Sequence, residues 1–139
     1  MDINELKNIL SKSWSSETCS PSLRNEWSEN NPSLGQCAIT AMIVNDIFGG
    51  KIMRCMASSG SHYYNMIDDK IIDLTVEQFL GEIPQYEEGT ERTREYLLSN
   101  EDTKKRYLLL LNNIRINSMI SEKEDNSFKY KKIKEVYYE

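Results

Sequence analysis

An almost uninterrupted apolar segment is the strongest constraint on how this chain folds. Residues 38–48 read Ala-Ile-Thr-Ala-Met-Ile-Val-Asn-Asp-Ile-Phe, and Gly49-Gly50 follows immediately. A helix that is apolar on nearly every side must be surrounded by other elements, and glycine is the usual residue just past a helix end. The 139 residues of the chain are enough for one domain with a modest core. We therefore expect a central buried helix over residues 38–48.

The segments around this helix predict an α+β domain, in which the buried helix packs on a small antiparallel sheet. The domain is expected to span residues 1–139, with its core at about residues 3–116. The expected elements are a helix at 3–14, strands at 51–57, 62–67 and 70–75, a short helix at 76–80, a loop at 83–89, helices at 91–98 and 101–116, a polar linker at 121–126, and a last strand or tail at 128–138.

Cys37 is the cysteine best placed for chemistry. It follows Gln36 and lies in the first turn of the predicted buried helix, where unpaired N–H groups and the helix dipole favour a thiolate. The same N–H groups are able to stabilise an oxyanion, with Gln36, or another side-chain amide brought close by the preceding loop, as a second donor. Cys55 lies within a predicted strand and Cys19 in a polar loop. Cys37 is therefore the expected nucleophile.

His62 is the single histidine, so any mechanism that needs a histidine base depends on it. If Asp68 and Asp69 form a two-residue turn, Asp73 lies on the same face of the hairpin as His62 and diagonal to it. Diagonal neighbours are about 7 to 8 Å apart at the backbone, which a carboxylate and an imidazole can bridge. A turn longer by one residue would move Asp73 to the opposite face. The hairpin thus predicts that Asp73 orients His62, the base for Cys37.

Several short motifs resemble those of a known family. They are Gly35-Gln36-Cys37-Ala38, His62-Tyr63-Tyr64-Asn65-Met66-Ile67-Asp68, Asp73-Leu74-Thr75, Trp14-Ser15-Ser16-Glu17-Thr18, Trp27, Asn31-Pro32 and Asp46-Ile47-Phe48-Gly49-Gly50. Over about residues 10–115 the chain is similar to the YunG family of small bacterial proteins, and more distantly it resembles transglutaminase-like and papain-like cysteine enzymes.

The resemblance implies a papain-like or transglutaminase-like core, in which the central helix bears Cys37 and the antiparallel sheet carries His62 and Asp73 as the rest of a triad. One position departs from the family pattern. Relatives often place Gly in the hairpin turn, where this chain has Asp69. The departure bears on the register of the hairpin, and hence on whether Asp73 reaches His62.

Each candidate residue also has a simpler structural explanation. Cys37 would then be a buried thiol, because free cysteine is among the most buried residue types. His62 would be a hydrogen-bonded side chain at the sheet margin, and Gln36 a residue of the helix start. Asp73 is equally suited to cap a helix that begins near Thr75. These explanations compete with the catalytic one residue by residue.

Other kinds of site fit the sequence less well. A zinc site made from Cys19, Cys37, Cys55 and His62 lacks the close ligand pairs of structural zinc sites, so neither a metal nor another cofactor is expected. Seventeen Lys and Arg against 22 Asp and Glu give a net charge of −5. This balance offers no electrostatic footprint for nucleic acid or an anionic membrane.

The expected function is cysteine-dependent acyl chemistry on an amide or a thioester. Cys37 would attack the carbonyl carbon, His62 would transfer the proton to the leaving group, and Asp73 would hold the imidazole tautomer. The acyl group would then pass to water or to an amine, which makes the protein a hydrolase or an acyltransferase. The substrate would be a protein, a peptide or a small amide or thioester.

The walls of the cleft are expected from residues 18–35 and 86–94. Trp27, on the first of these segments, and Tyr64, on the face of His62, are the aromatic residues expected to contact substrate, although Trp14 and Trp27 suit core anchors better than a ligand cage.

A cytoplasmic location is expected, because the N-terminus lacks a signal peptide pattern and no apolar run approaches the roughly 20 residues that span a bilayer. The alternative function is a non-catalytic binding or regulatory protein that keeps the fold and interacts with a protein or peptide.

Overall fold

Four helices and one four-stranded antiparallel sheet make up the part of the chain that the structure describes. The structure is a computed structural model, which describes the backbone of residues 1–125 and the side chains of residues 1–120. The elements are α1 (Ile3–Ser13), α2 (Cys37–Phe48), β1 (Lys51–Ala57), β2 (Gly60–Ile67), β3 (Lys70–Ile72), β4 (Thr90–Arg92), α3 (Arg94–Leu98) and α4 (Glu101–Asp125), with 3₁₀ turns at Pro21–Glu26, Val76–Phe79 and Tyr86–Glu88.

Helix α2 is the centre of the fold, as its apolar sequence predicts. Its residues from Ile39 to Val44 are all buried. It packs against β2 and against α4, and Asn65 of β2 donates a hydrogen bond from Nδ2 to the carbonyl of Ala41 at 2.9 Å. Gly49 then ends the helix at a φ of 74°, a conformation that glycine adopts readily. The α+β class and the central buried helix are confirmed.

Helices α1 and α4 pack on each other and complete the core. Leu6 and Leu10 of α1 and Leu110 of α4 are fully buried in one cluster with α2. Trp14, just past α1, is buried and donates to the Thr40 hydroxyl of α2 at 3.0 Å. The amphipathic pattern of residues 3–14 therefore predicted this helix correctly, and Trp14 is the core anchor that the sequence suggested.

Helix α4 is longer than predicted. It begins at Glu101 as expected but continues to Asp125, through residues that the sequence assigned to a polar linker. These residues include Glu, Lys and Asp and contain neither Gly nor Pro, so nothing in them breaks a helix. The predicted last strand or tail at 128–138 lies outside the described residues.

The strands form a sheet in the order β3-β2-β1-β4, in which all neighbours are antiparallel. Strand β1 was predicted with its observed bounds, whereas β3 ends at Ile72, three residues earlier than expected. Strand β4 corrects the prediction of one helix over 91–98, because Glu91 and Arg92 pair with β1 and only Arg94–Leu98 is helical. The three residues of β4 are all polar and show no strand pattern in the sequence. Their extended conformation depends on pairing with β1.

The hairpin between β2 and β3 has the register that the sequence predicted. Ile67 pairs with Lys70 and Met66 with Ile71, so the turn is the two residues Asp68 and Asp69. Their φ values are 50° and 62°, which is the left-handed backbone of a type I′ turn. Asp tolerates this conformation better than most residues do. Asp73 therefore follows directly on the short strand β3, next to β2.

We expect Asp69→Gly to raise the free energy of unfolding by about 0.5–1 kcal/mol, because glycine adopts a positive φ without steric cost and one of two adjacent carboxylates is removed. Denaturant unfolding measures the change. Asp69→Ala is the matched variant: it also removes the carboxylate but keeps a Cβ at φ 62°, and should lower stability. Equal effects of the two substitutions would contradict the left-handed turn.

Candidate active site

Cys37 is the first residue of α2, and the backbone around it is short of hydrogen-bond partners. The first helical bond runs from the N–H of Thr40 to the carbonyl of Gln36 at 3.0 Å. No side chain caps the helix, so the N–H groups of its first turn are left to solvent or to a ligand. Cys37 is partly exposed, whereas Cys19 and Cys55 are buried. Of the three thiols, Cys37 alone meets the cleft described below.

His62 and Asp73 are joined by a short hydrogen bond. Nε2 of His62 lies 2.6 Å from Oδ2 of Asp73, and both side chains are almost fully buried. Two aromatic rings pack against the imidazole. The Phe79 ring lies edge-on, with 4.8 Å between ring centroids, and the Tyr64 ring is nearly parallel, with 6.3 Å between centroids. The register of the β2–β3 hairpin thus places the Asp73 carboxylate next to the His62 imidazole, as the sequence predicted.

The carboxylate of Asp73 divides its two oxygens between two tasks. Oδ2 accepts from His62 and also from the hydroxyl of Tyr86 at 2.6 Å. Oδ1 accepts from the backbone N–H of Thr75 at 3.3 Å and from its hydroxyl at 3.4 Å. Asp73 therefore orients the histidine and also closes a turn with Thr75. It does not cap the 3₁₀ turn at Val76–Phe79, which has no side-chain cap, so the capping role that the sequence offered as the alternative is not observed. Tyr86, which the sequence placed in a cleft wall, instead supports Asp73.

Asp73 and Cys37 together determine the charge of His62. Burial lowers the pKa of the ring, but the hydrogen bond to Asp73 and the proximity of Cys37 outweigh burial and raise the pKa to about 9. The bond to Asp73 therefore favours the protonated form of the ring. Nε2 is occupied by Asp73, and Nδ1 is buried without a hydrogen-bond partner among the described side chains. Nδ1 is the nitrogen available to the thiol of Cys37.

The other two thiols are held in the neutral form. Burial is the main cause of a raised pKa for Cys19. Burial, followed by the charges of Asp73 and Cys37, raises the pKa of Cys55 to about 11. Cys55 lies directly opposite His62 in the strand register, so the two side chains lie on the same face of the sheet. Reactivity is thus expected to concentrate on Cys37.

Cys37 and His62 open onto one cleft of about 260 Å³. Its walls come from the loop before α2, from the turn between β1 and β2, from the 3₁₀ turn after Asp73 and from α4. The lining residues are Ser20, Ser22, Leu23, Gly35, Cys37, Ala38, Ser59, Ser61, His62, Tyr63, Gln78, Phe79, Thr103 and Arg106. The predicted wall at 18–35 is present, whereas the predicted wall at 86–94 is replaced by α4.

Gln36 does not occupy the position that the sequence assigned to it. Its side chain is fully buried, and Nε2 donates to the carbonyl of Ser15 at 3.0 Å. The residue just before α2 therefore turns inward and ties the helix start to the end of α1, instead of facing the cleft beside Cys37. The side chain is not among the residues that line the cleft, and its role as an oxyanion donor stays a prediction.

Neither Trp27 nor Tyr64 is among the residues that line the cleft, and the substrate contacts predicted for them stay predictions. Tyr64 is 1% exposed and packs behind His62, where its hydroxyl donates to the carbonyl of Tyr86 at 3.3 Å. Trp27 is half-buried and donates from its indole to the carbonyl of Pro32 at 2.9 Å, which closes the loop on itself. Both aromatic residues support the site from outside the cleft.

Gln78 is the cleft residue that sequence reasoning missed. It is 7% exposed, and its Oε1 accepts the backbone N–H of Gly35 at 3.3 Å, two residues before Cys37. Its Nε2 is buried and has no hydrogen-bond partner among the described residues. A buried amide donor without a partner costs about 1–3 kcal/mol and is uncommon in folded proteins. Only the folded chain reveals it, because 43 residues separate Gln78 from Gly35.

Comparison with known proteins places the chain in a family. A family model described as "YunG protein" matches residues 2–118. The chain belongs to the YunG family. The "Uncharacterized protein YunG" of Bacillus subtilis (strain 168) is 35% identical over 100 residues, which cover 72% of this chain and 83% of that relative. No solved structure matches the chain.

The YunG match covers the whole site, since Cys37, His62, Asp73 and Gln78 all fall within residues 2–118. In the described part of this YunG-family chain, no three His, Cys, Asp or Glu side chains are grouped so as to hold a metal ion. The helices described here also include none with the length and apolar character needed to cross a membrane.

The raised pKa of His62 predicts how stability depends on pH. The folded state binds the proton more tightly than the unfolded state, so this contribution is complete below pH 6.5 and is lost as the pH rises through about 9. It amounts to at most the order of 3 kcal/mol. Denaturant unfolding between pH 6 and 9.5 should show the decline.

Asp73→Asn should flatten that decline, because it removes the largest influence that raises the pKa of His62. Tyr86→Phe is the matched control: it deletes the other hydrogen bond to Oδ2 but keeps the carboxylate, and should leave the decline in place. A wild-type stability that stays level across this pH range would contradict the protonated, paired histidine.

Proposed function

We propose that this YunG-family protein is a cysteine-dependent hydrolase or acyltransferase that acts on an amide or a thioester. The observation that carries the proposal is the alignment, at one cleft, of Cys37 at a helix start with a histidine held by the buried carboxylate of Asp73. A nucleophile, a base and an orienting group in this order are what acyl transfer through cysteine requires. The proposal extends to a papain-like or transglutaminase-like mechanism, which uses the same set of groups.

The proposed reaction begins with the thiolate of Cys37, which the imidazolium of His62 stabilises. The sulfur attacks the carbonyl carbon, and the carbonyl oxygen takes up the negative charge. The tetrahedral intermediate collapses when the C–N or C–S bond of the substrate breaks, and His62 gives its proton to the leaving amine or thiol. An acyl-enzyme thioester remains. Water or an amine then attacks it, His62 accepts the proton, and the thiolate leaves.

Two sets of donors are available for the oxyanion. The first is the uncapped N–H groups in the first turn of α2, to which Cys37 belongs. The second is Nε2 of Gln78, a buried donor on the cleft wall whose amide is already oriented by Gly35. Donors that are fixed before the reaction stabilise the developing charge without reorganisation. Gln78 thereby takes the role that the sequence had offered to Gln36.

The proposal predicts an acyl-enzyme on Cys37. Incubation with p-nitrophenyl acetate should release nitrophenol in a burst and leave one acetyl group on Cys37, detected by peptide mass spectrometry. His62→Ala should slow this acylation by about 10²- to 10⁴-fold, because the general base and the cation beside the sulfur are both lost. Panels of amide and thioester substrates then identify the natural acyl group.

Cys55→Ala is the matched control for Cys37→Ala, because Cys55 is a second thiol near His62 but lies outside the cleft lining. Acetylation should persist in the Cys55 variant and disappear in the Cys37 variant. Acetylation spread equally over Cys19, Cys37 and Cys55, or unchanged in His62→Ala, would overturn the enzymatic proposal in favour of a binding or regulatory role for the fold.

Gln78 can be tested separately from the nucleophile, because acylation passes through an oxyanion and alkylation by iodoacetamide does not. Gln78→Leu should lower the rate of acetylation of Cys37 by about 10²-fold. The same variant should be alkylated by iodoacetamide at close to the wild-type rate. The ratio of the two rates therefore reports the oxyanion donor and not the general integrity of the site.

Gln36→Leu is the matched control, since it removes a buried amide that is bonded to Ser15 outside the cleft. It should lower the free energy of unfolding while the ratio of acetylation to alkylation stays at the wild-type value. A fall of that ratio in Gln36→Leu but not in Gln78→Leu would return the oxyanion role to Gln36.

A further inference from the structure

We propose that the cleft contains an anion subsite built on Arg106, so that the acyl substrate of this protein carries a carboxylate or a phosphate close to the reacting carbonyl. The inference rests on the proposed function for its substrate, but the subsite itself can be tested without any turnover. It names a substrate class that the catalytic groups alone do not determine.

Arg106 is an unusually fixed arginine. It lies on α4, is only 7% exposed, and lines the same cleft as Cys37 and His62. Nε donates to Asp102 at 2.7 Å, and Nη1 donates to the carbonyl of Thr18 at 3.1 Å. Nη2 has no hydrogen-bond partner among the described side chains and backbone. The guanidinium is therefore held in place with donor capacity left over.

The lining of the cleft around Arg106 is rich in hydroxyl groups and, within the described residues, contains no Asp or Glu. The carboxylates that bond to its two basic side chains, Asp102 to Arg106 and Asp73 to His62, lie outside the lining. Six hydroxyl side chains complete the polar wall: Ser20, Ser22, Ser59, Ser61, Tyr63 and Thr103. Such a wall surrounds the guanidinium with hydrogen-bond donors and with no competing carboxylate in the lining, which suits an anionic group.

Asp102 offsets part of the charge of Arg106 but does not fill the subsite. Its side chain is 45% exposed and accepts one hydrogen bond, from Nε, so Nη2 keeps its donors. Solvent screens an exposed carboxylate more than a buried cation. Arginine binds carboxylate and phosphate through its paired N–H groups, and the remaining donors of Arg106 suit either anion.

Two alkylating reagents of nearly equal size test the subsite directly. Iodoacetate carries a carboxylate where iodoacetamide carries a neutral amide, and both react with a thiolate by the same displacement. The ratio of the iodoacetate rate to the iodoacetamide rate at Cys37, followed by peptide mass spectrometry, should exceed the ratio for a small neutral thiol. Arg106→Gln should lower the ratio by about tenfold, through loss of iodoacetate reactivity.

His62 contributes equally to wild type and variant, so the change in the ratio isolates Arg106. Arg106→Lys keeps a cation and should retain part of the preference, which protects the test if the glutamine variant folds poorly by circular dichroism. Asp102→Asn is the matched control: it removes the partner carboxylate while leaving the guanidinium, so the ratio should stay or rise. A ratio that Arg106→Gln and Arg106→Lys both leave at the wild-type value would overturn the subsite.

Protection identifies which anion the subsite prefers. Acetate and inorganic phosphate should each slow alkylation of Cys37 by iodoacetamide in the wild type but not in Arg106→Gln, and the anion that protects at lower concentration indicates a carboxylate or a phosphate substrate. Protection by neither would contradict the proposal. A subsite that passes these tests in a protein that forms no acyl-enzyme would show that the proposed chemistry, and not the anion site, is at fault.

Discussion

The burial of α2 is the constraint on which the rest of this structure depends. Six consecutive buried residues leave the helix no solvent face in its middle, so the sheet and the helices α1 and α4 must enclose it. The chain reaches the N-terminal end of this helix through Gly35, which has a φ of 72°. Glycine is needed here, because a Cβ would lie 2.4 Å from the Cys19 sulfur. Cys37, the proposed nucleophile, is therefore attached to a helix that the rest of the fold encloses.

Patterns with a short period predicted the parts of the fold that local sequence controls. The spacing of apolar residues placed α1 and α2, and strand alternation with a two-residue turn placed Asp73 beside His62. The prediction for Asp73 required a turn of two residues. The turn has this length because Asp68 and Asp69 both adopt a left-handed backbone. The contact between His62 and Asp73 was thus accessible from sequence because β2 and β3 form one hairpin and Asp73 directly follows it.

The residues that the sequence did not reveal owe their positions to contacts between distant segments. Gln36 and Gln78 are the same residue type, and which amide faces the cleft depends on the direction of the chain just before α2 and on the fold of the 3₁₀ turn after Asp73. Strand β4 likewise forms only because β1 offers it a free edge. Arg106 sits among the polar residues of α4, where no periodicity separates a buried guanidinium from an exposed one.

The carboxylate of Asp73 has a consequence for how this family changes over time. Because it joins the β2 strand, the Thr75 turn and Tyr86, its loss would disturb the fold whether or not the protein turns over a substrate. Gln78 also joins two segments through Gly35, whereas Cys37 is partly exposed at the start of α2. Under the proposed function, a relative without the chemistry is therefore expected to keep its aspartate and to show the change first at the thiol.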